Sequence, residues 1–581
     1  MSLDLKIVGG TVVDGNGGAP FTADVGIRDG RIVEIGTLGA ARETIDAQGA
    51  IVTPGWVDIH THYDGQASWD ADFAPSSLHG VTTCVMGSCG VGFAPAHARD
   101  RDVLIALMEG VEDIPGSALA EGIRWGWEGF AEYMQALDAM PHAIDFAAQV
   151  PHDALRVYAM GERAVANEEA TEADIAAMRG ELRAALLAGA VGFSTGRTDN
   201  HRARSGAATP ASEAATRELE GVAAAFSGLG RGVLQAVSDF DMARGPEPFD
   251  AEFDVLESMT RAAGGRPLSI SLSQRDGDPG QWKRILARVD QGVARGLDLH
   301  VQVAPRGIGV LLGLGCTYHP FIGKPSYQAL ATVPLAERVV AMREPAVRAR
   351  IVAEASVAVS GDGSAVPPLV DHLLAQLDRL AFRMFRLGDN PDYEPPVTAS
   401  IGARARAQGV SPVEALYDAL LDREGRELVY FPIFNYASFD LEPVYEMMSH
   451  ARALPGLSDG GAHVGTICDA SFPTFYLSHW VKERGRWPVE RAVQFLSARP
   501  ADFIGFSDRG RVALGQRADL NIIDLSRLRL YGPRMVRDLP AGGQRLLQDA
   551  DGYVATLVAG QPIAREGQLT GARPGRLARV G

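Results

Sequence analysis

The sequence lacks the features that mark a secreted or membrane protein. It contains only four cysteines, at positions 84, 89, 316 and 468, which are too few and too scattered for a disulfide framework, so we expect free thiols. No apolar run approaches the roughly eighteen residues of a membrane helix, and residues 1–6 are not a basic segment followed by an apolar one. We therefore predict a cytoplasmic protein without a membrane-spanning segment.

Basic clusters are scarce as well. The formal net charge is −17 and the sequence pI about 5.3, and no run of Lys and Arg could follow a phosphate backbone, so we predict no nucleic-acid partner. Hydrophobic residues make up 46% and charged residues 22% of the chain, which is usual for a globular protein and argues against disorder. The 581 residues suffice for one large domain and a second domain.

Strand and helix patterns alternate between about residues 53 and 505. An apolar, β-branched run at 80–86 precedes a helical pattern at 100–110, and a helical pattern at 172–188 precedes an apolar run at 190–194. This alternation is typical of parallel βαβ units, eight of which close a TIM barrel. We predict an α/β fold with a (β/α)8 barrel and expect functional residues at the C-terminal ends of its strands.

Two histidines separated by one residue follow an apolar segment at 51–59. Residues i and i+2 of a strand project from the same face, so His60 and His62 can offer two imidazoles to one metal ion. Imidazole is the commonest metal ligand, but it is also an ordinary buried group. The pair alone therefore leaves a metal site and a hydrogen-bonded core pair open.

The context of this pair carries a resemblance. Residues 53–62, Thr-Pro-Gly-Trp-Val-Asp-Ile-His-Thr-His, resemble the first barrel strand of the amidohydrolase superfamily, whose members hydrolyse amide, ester or amidine bonds in a metal-bearing (β/α)8 barrel. Residues 86–95, Met-Gly-Ser-Cys-Gly-Val-Gly-Phe-Ala-Pro, resemble the Asn-Cys-Gly segment of the N-acyl-D-amino-acid deacylases, the D-aminoacylases. In that family a cysteine takes the bridging-ligand position, which implies that Cys89 binds metal. A thiolate suits zinc.

The resemblance also implies a fourth ligand. Asp459 in Leu-Ser-Asp-Gly-Gly-Ala-His, residues 457–463, lies late in the barrel, where the family places a metal-binding aspartate that takes a proton from the attacking water. An Asp-Gly pair is otherwise most often a turn. His60, His62, Cys89 and Asp459 would hold one Zn²⁺ per chain with room for a water, whose pKa the ion lowers toward about 7. Asp459 would act as general base, which gives a metal-dependent hydrolase of a linear amide.

The sequence departs from the family at the second metal position. D-aminoacylases carry two more metal-binding histidines, at the ends of the fifth and sixth barrel strands. The best-matching segments here are residues 232–239 and 267–274, and neither contains a histidine. Two interpretations follow: a mononuclear enzyme that uses one metal, which we favour, or a degenerate homologue that binds without cleaving.

Several polar residues near predicted strand ends are candidates for contact with a small-molecule substrate, an N-acyl amino acid or a related amide. Arg197 could pair with a substrate carboxylate, because its planar fork matches two oxygens. His463 and the pair Tyr318 and His319 are candidates for polarising the scissile carbonyl. His201 and Arg202 follow the segment that resembles the Gly-Phe-Ser-Thr sequence of the deacylases, although a solvent-exposed loop is the alternative.

The resemblance and the strand signals together predict the domain limits. Residues 1–53 and 506–581 are expected to pair into one small β-sandwich beside the barrel at 54–505. Turn-forming residues within 365–400 predict an excursion from the barrel, either over the site mouth or on the surface without a function. The sequence predicts no oligomeric state.

Three other functions remain as alternatives. A cyclic-amide hydrolase of the dihydropyrimidinase kind shares the barrel and the sandwich but normally uses a carboxylated lysine, and no lysine lies at a matching strand end. A non-hydrolytic binding protein on the same scaffold would show no metal-dependent turnover. An interaction protein is the least favoured, because a pocket at a barrel mouth suits small molecules.

Overall fold

The N-terminal segment forms strands of two different sheets. The computed structural model describes residues 2–240, 244–361, 366 and 368–580. It begins with seven short strands: β1 (Leu3–Val8), β2 (Thr11–Val12), β3 (Phe21–Thr22), β4 (Asp24–Arg28), β5 (Arg31–Gly36), β6 (Ala41–Asp46) and β7 (Ile51–Pro54). Four of them form a sheet in the order β5-β4-β1-β6, and β2, β3 and β7 join strands from the C-terminal end.

The barrel follows directly. Its first seven strands are parallel and neighbour one another in chain order: β8 (Trp56–Asp58), β9 (Val81–Met86), β10 (Asp145–Pro151), β11 (Gly192–Arg197), β12 (Val233–Ser238), β13 (Leu268–Leu272) and β14 (Leu299–Val303). The segments predicted to match the fifth and sixth strands are therefore β12 and β13, the fifth and sixth in the sheet.

Helices connect these strands as the alternation predicts. They are α1 (Arg101–Glu112), α2 (Gly116–Gly122), α3 (Phe130–Asp138), α4 (His152–Met160), α5 (Glu162–Val165), α6 (Glu172–Ala188), α7 (Thr216–Ala223), α8 (Phe249–Ala262) and α9 (Gln281–Ala294). The predicted helix at 172–188 coincides with α6, because Thr171 and Asp174 form a capping box at its start and Gly189, at φ 114°, ends it.

The chain leaves the barrel between its seventh and eighth strands. This excursion contains β15 (Ile308–Leu312), α10 (Pro325–Gln328), α11 (Leu335–Arg343), α12 (Pro345–Ala353), α13 (Pro368–Leu374), α14 (Leu377–Leu380), β16 (Phe385–Arg386), α15 (Ile401–Gln408), α16 (Pro412–Gly425), β17 (Val429–Phe434) and α17 (Glu442–Ser449). Its antiparallel sheet β15-β17-β16 covers a separate core that includes Phe321, Met342 and Leu416. The excursion predicted near 365–400 lies inside it, and Ala365 and Pro367 fall outside the described residues.

The eighth strand, β18 (Ala453–Pro455), returns beside β14. The segments that follow the first and last barrel strands meet beyond the strand ends. There Thr61 forms a parallel bridge with Gly460, and the His62 N–H donates to the Gly460 carbonyl at 2.8 Å. Three α-helices and one π-helix then follow: α18 (Phe472–Phe475), the π-helix Tyr476–Glu483, α19 (Val489–Leu496) and α20 (Ala498–Ile504).

The last eight strands complete the sheets beside the barrel. They are β19 (Leu520–Ile523), β20 (Arg529–Leu530), β21 (Arg534–Val536), β22 (Arg545–Leu547), β23 (Ala550–Asp551), β24 (Tyr553–Val558), β25 (Gln561–Arg565) and β26 (Gln568–Leu569). The order β26-β25-β24-β19-β7-β2-β3 places β7 between a C-terminal and an N-terminal strand. The predicted α/β fold, a TIM barrel beside strands from both chain ends, is confirmed, whereas the predicted domain limits stay a prediction.

The barrel interior contains an apolar layer. Its members form a cluster separate from the main core: Val57, Ile59, Val85, Ala147, Val233 and Leu454, packed against Phe503 and Ile504 of α20. α20 therefore closes this end of the barrel and leaves the opposite end for polar groups. Within the described part of the chain, no helix has the length and apolar character needed to cross a membrane.

Candidate metal centre

Three side chains from two strand ends converge at the open end of the barrel. The ligand atoms of His60, His62 and Cys89 all lie within 4.8 Å of one another, and all three residues are buried. His60 Nε2 lies 3.2 Å from Cys89 Sγ. Two imidazoles and one thiol at such distances are a donor set that zinc prefers.

The loop that carries Cys89 is held in an unusual backbone conformation. Cys89 has φ 57°, a left-handed value that costs a non-glycine residue roughly 1–3 kcal/mol and persists only where the surroundings impose it. Gly87, at φ 81°, precedes it, and a Cβ there would lie 2.2 Å from the Gln149 carbonyl oxygen. The Cys89 N–H donates to Gln235 Oε1 at 2.8 Å, which ties the loop to β12.

Asp459 completes the cluster from the segment that follows the last barrel strand, β18. Its Oδ1 lies 3.3 Å from His60 Nε2 and 3.7 Å from His62 Nε2, and its side chain is 15% exposed. Leu457, Asp459 and His463 all have positive φ, of 60°, 48° and 49°. Three left-handed residues within seven positions indicate a segment shaped for a function rather than for local stability.

The outer ring nitrogens of the two histidines also face polar groups, through a hydrogen bond at His60 and through an ion-pair contact without hydrogen-bond geometry at His62. His60 Nδ1 lies 2.5 Å from Gln302 Oε1, and His62 Nδ1 lies 3.2 Å from Glu112 Oε1. Contacts of this kind orient metal-binding histidines, and they leave both Nε2 atoms facing the cluster. Glu112 is the last residue of α1, so neither a motif nor strand alternation could have indicated it.

Burial and mutual charge set the protonation of the cluster. Burial disfavours charge on His60, but the Cys89 thiolate and the Asp459 carboxylate outweigh it and raise the His60 pKa to about 9. Burial raises the pKa of Cys89, yet the imidazoles of His60 and His62 lower it overall. Burial acts likewise on Asp459, and the same two imidazoles hold its pKa well below the usual range.

The mutual charges of the cluster therefore favour the thiolate form of Cys89 and the carboxylate form of Asp459 beside protonated imidazoles when no cation is bound. A divalent cation would take the place of those protons, because both Nε2 atoms lie near the Asp459 carboxylate and that of His60 also contacts the Cys89 sulfur. The residues present fit a zinc ion.

Two further predicted residues lie near the cluster. His463 Nε2 is 3.5 Å from Glu112 Oε2, and its side chain is 24% exposed, so it reaches the open end of the barrel. Burial, followed by the charges of His463 and His62, lowers the His201 pKa to about 3. His201 is therefore a neutral imidazole beside the cluster.

The two predicted arginines are engaged with protein groups. Arg197 is buried, forms a bidentate pair with Glu252 at 2.9 and 3.0 Å and donates its remaining Nη to the Ala214 carbonyl. The expectation that Arg197 pairs with a substrate carboxylate is not supported, because a protein carboxylate already fills its fork. Arg202 pairs with Asp199 at 3.0 Å and is half-buried.

Tyr318 and His319 lie in the excursion. Tyr318 is half-buried, and burial followed by the charge of Asp113 raises its pKa. Thr317, just before it, donates to Asp113 Oδ2 at 3.2 Å, which brings this loop beside Glu112. His319 is buried, accepts the Phe321 N–H and packs edge-on against Tyr327, so its contacts lie within the excursion.

Comparison with known proteins agrees with this geometry. The amidohydrolase family model matches residues 43–564. The chain belongs to the amidohydrolase family. It is a metal-dependent hydrolase that acts on linear, non-peptide carbon–nitrogen bonds of small molecules, as predicted.

Relatives of this amidohydrolase match it along nearly its whole length. It is 27% identical to the D-aminoacylase of Alcaligenes xylosoxydans xylosoxydans over 99% of this chain and 97% of that protein. It is 28% identical to the N-acyl-D-glutamate deacylase of the same organism, over 90% and 87% of the two chains. A crystal structure of the Bordetella bronchiseptica N-acyl-D-glutamate deacylase with zinc and a phosphonate inhibitor is 26% identical, covers all of both chains and has a TM-score of 0.64.

Proposed function

We propose that this amidohydrolase removes the acyl group from an N-acylated amino acid and uses one zinc ion per chain, held by His60, His62, Cys89 and Asp459. The convergence of the two imidazoles, the thiol and the carboxylate carries the proposal. The substrate class is supported by the relatives, which are a D-aminoacylase and an N-acyl-D-glutamate deacylase. Zinc is favoured by the thiolate, because soft sulfur ligands select it over manganese or magnesium.

A single metal is favoured by the strands that the second site would need. In the family the missing ligands are histidines on the fifth and sixth strands, and β12 and β13 contain none. Their inward positions beside the cluster carry Gln235 and Ser269, which make hydrogen bonds within the protein. One zinc held by these residues would be chemically sufficient, because a single bound ion would supply both the activation of water and the polarisation of the scissile carbonyl.

Asp459 is the proposed proton carrier. The neighbouring imidazoles keep it a carboxylate at neutral pH, so it can take a proton from the attacking water and deliver it to the leaving amine. Its partial exposure at the open end of the barrel lets it reach both water and substrate. His463 and the neutral His201 border the same opening and are proposed to contact the substrate.

The test combines metal quantification with a substrate panel. Purified metal-replete protein should contain about one zinc per chain and hydrolyse members of a panel of N-acylated amino acids of both chiralities. Cys89→Ala should lose both the zinc and the activity, because its thiolate is the one sulfur ligand. Two zinc ions per chain would contradict the mononuclear centre.

The panel should also contain cyclic amides. Hydrolysis of a dihydropyrimidine or hydantoin in preference to every linear amide would overturn the substrate class. Zinc binding without turnover on any amide would favour a binding protein on the same scaffold.

A further inference from the structure

Buried polar side chains line the two strands of the missing second metal site, β12 and β13, and the next strand, β14. Gln235 on β12, Ser269 on β13 and Gln302 on β14 are each at most 1% exposed, and we call them the amide network. Gln235 and Ser269 are register partners on adjacent strands, and Gln302 Nε2 donates to Ser269 Oγ at 2.9 Å. The network touches the metal cluster at two points.

The first point is the ring of His60. Because Gln302 Nε2 donates to Ser269, Gln302 Oε1 faces His60 Nδ1 at 2.5 Å and can only accept. The proton of a neutral His60 is therefore on Nδ1, and the lone pair of Nε2 is available to a metal. The opposite orientation of the amide would place a proton on Nε2, where the thiolate and Asp459 converge.

The second point is the backbone of Cys89. A backbone N–H only donates, so its 2.8 Å contact with Gln235 must be made by the amide oxygen. This bond holds a residue whose left-handed φ of 57° is unfavourable by itself. In a two-metal centre a bridging thiolate would be held by two ions, whereas here the loop needs another restraint.

We propose that Gln235 and Gln302 are positioning residues of the single-metal centre, Gln302 orienting His60 and Gln235 fixing the Cys89 loop, in place of the second metal. The inference rests on the proposed function, since it assumes that the cluster binds one zinc. It assigns to residues of the fifth and seventh strands a contribution to metal affinity in addition to that of the four ligands. Partners of this kind typically contribute about ten- to hundred-fold in metal affinity.

Zinc affinity of the full chain tests the role of Gln302. Gln302→Leu removes the acceptor at nearly constant volume, and its zinc dissociation constant, measured by competition with a chromophoric chelator, should rise about ten- to hundred-fold. Gln302→Glu keeps the acceptor and should bind zinc at least as tightly as the unaltered protein. Gln149→Leu is the matched control, because Gln149 is an equally buried glutamine on β10 that makes no hydrogen bond to the cluster among the described contacts.

A spectroscopic readout tests Gln235. In the cobalt-substituted protein the thiolate-to-metal absorption reports the bond from Cys89. Gln235→Leu should weaken this absorption and lower cobalt affinity, whereas Gln235→Glu keeps the oxygen that accepts the Cys89 N–H and should preserve both. The thermal unfolding of each metal-free variant shows that the chain is folded.

The outcomes separate the two proposals. If the unaltered protein binds one zinc and Gln302→Leu and Gln235→Leu weaken it no more than Gln149→Leu does, the amide network is not a positioning device, and the single-metal deacylase stands. If the unaltered protein binds no zinc under metal-replete conditions, the proposed function and the inference both fail.

Discussion

The two layers of the barrel interior differ in chemistry although the same strands build them. On β12 Val233 belongs to the apolar layer, and Gln235, which accepts the Cys89 N–H, lies two residues later. Residues two apart on a strand lie on the same face, so a single two-residue step along the strand leads from the apolar layer to the polar layer of the barrel interior. The apolar layer is held by burial alone, whereas the polar layer concentrates strained backbone and buried charge that burial disfavours.

The largest expected effect lies in the polar layer. Asp459→Asn removes the carboxylate while keeping the shape, and Asn tolerates the left-handed conformation, so the change isolates the charge. We expect kcat to fall about 10²- to 10⁴-fold at saturating zinc, the range for loss of a general base. Steady-state kinetics on the best substrate of the panel measures it. A kcat within a few-fold of that of the unaltered enzyme would show that a group other than Asp459 transfers the proton.

The matching change in the apolar layer should act on stability alone. Ile504→Ala in α20 leaves a cavity where the helix closes the barrel and should lower the free energy of unfolding by about 2–5 kcal/mol. Activity per folded molecule and zinc affinity should stay unchanged. Urea denaturation measures the change in the free energy of unfolding, and a zinc titration measures the zinc affinity. A parallel loss of zinc affinity would show that the two layers are coupled.

Two buried histidines, one outside the metal cluster and one within it, have pKa values shifted in opposite directions. His79 is hydrogen-bonded to Thr474 and the Gln548 carbonyl, and burial, which outweighs the charge of Asp549, lowers its pKa to about 4, whereas the charged cluster raises the pKa of His60. The unfolded chain binds a proton below about pH 6.5 and folded His79 does not, so stability falls as pH drops from 6.5 toward 4. The loss reaches about 3 kcal/mol near pH 4.

His79→Gln removes this contribution, because the amide keeps a donor and an acceptor but does not titrate. Its free energy of unfolding should therefore fall less steeply with acid than that of the unaltered protein. Denaturant midpoints collected between pH 4 and 7 give the two slopes. Parallel curves would mean that His79 is protonated in the folded protein.

The sequence predicted the features that repeat or that lie next to one another along the chain. Strand and helix alternation predicted the barrel, the helical pattern at 172–188 predicted α6, and the spacing of His60 and His62 placed two imidazoles on one side. The resemblance then supplied Cys89 and Asp459, which the structure brings within contact distance of those imidazoles.

Other contacts depend on packing between distant segments and left no local signal. Glu112 reaches His62 because α1 ends above the first strand, and Gln302 reaches His60 across the barrel from the seventh. The expected pairing of Arg197 with a substrate carboxylate missed a contact of the same kind. Its guanidinium pairs with Glu252 of α8, which lies 55 residues further along the chain. The excursion is larger than 365–400 because its sheet pairs β15 with β17 across the helices between them.

The position of β7 between β19 and β2 has a consequence for how the chain matures. β7 ends at Pro54, whereas its neighbour β19 begins at Leu520. During synthesis the β19 edge of β7 therefore stays unpaired until almost the entire polypeptide has left the ribosome. Contacts so distant in sequence form slowly, and an open strand edge recruits other chains. A nascent or C-terminally truncated molecule would therefore depend on chaperones long after its barrel strands had been made.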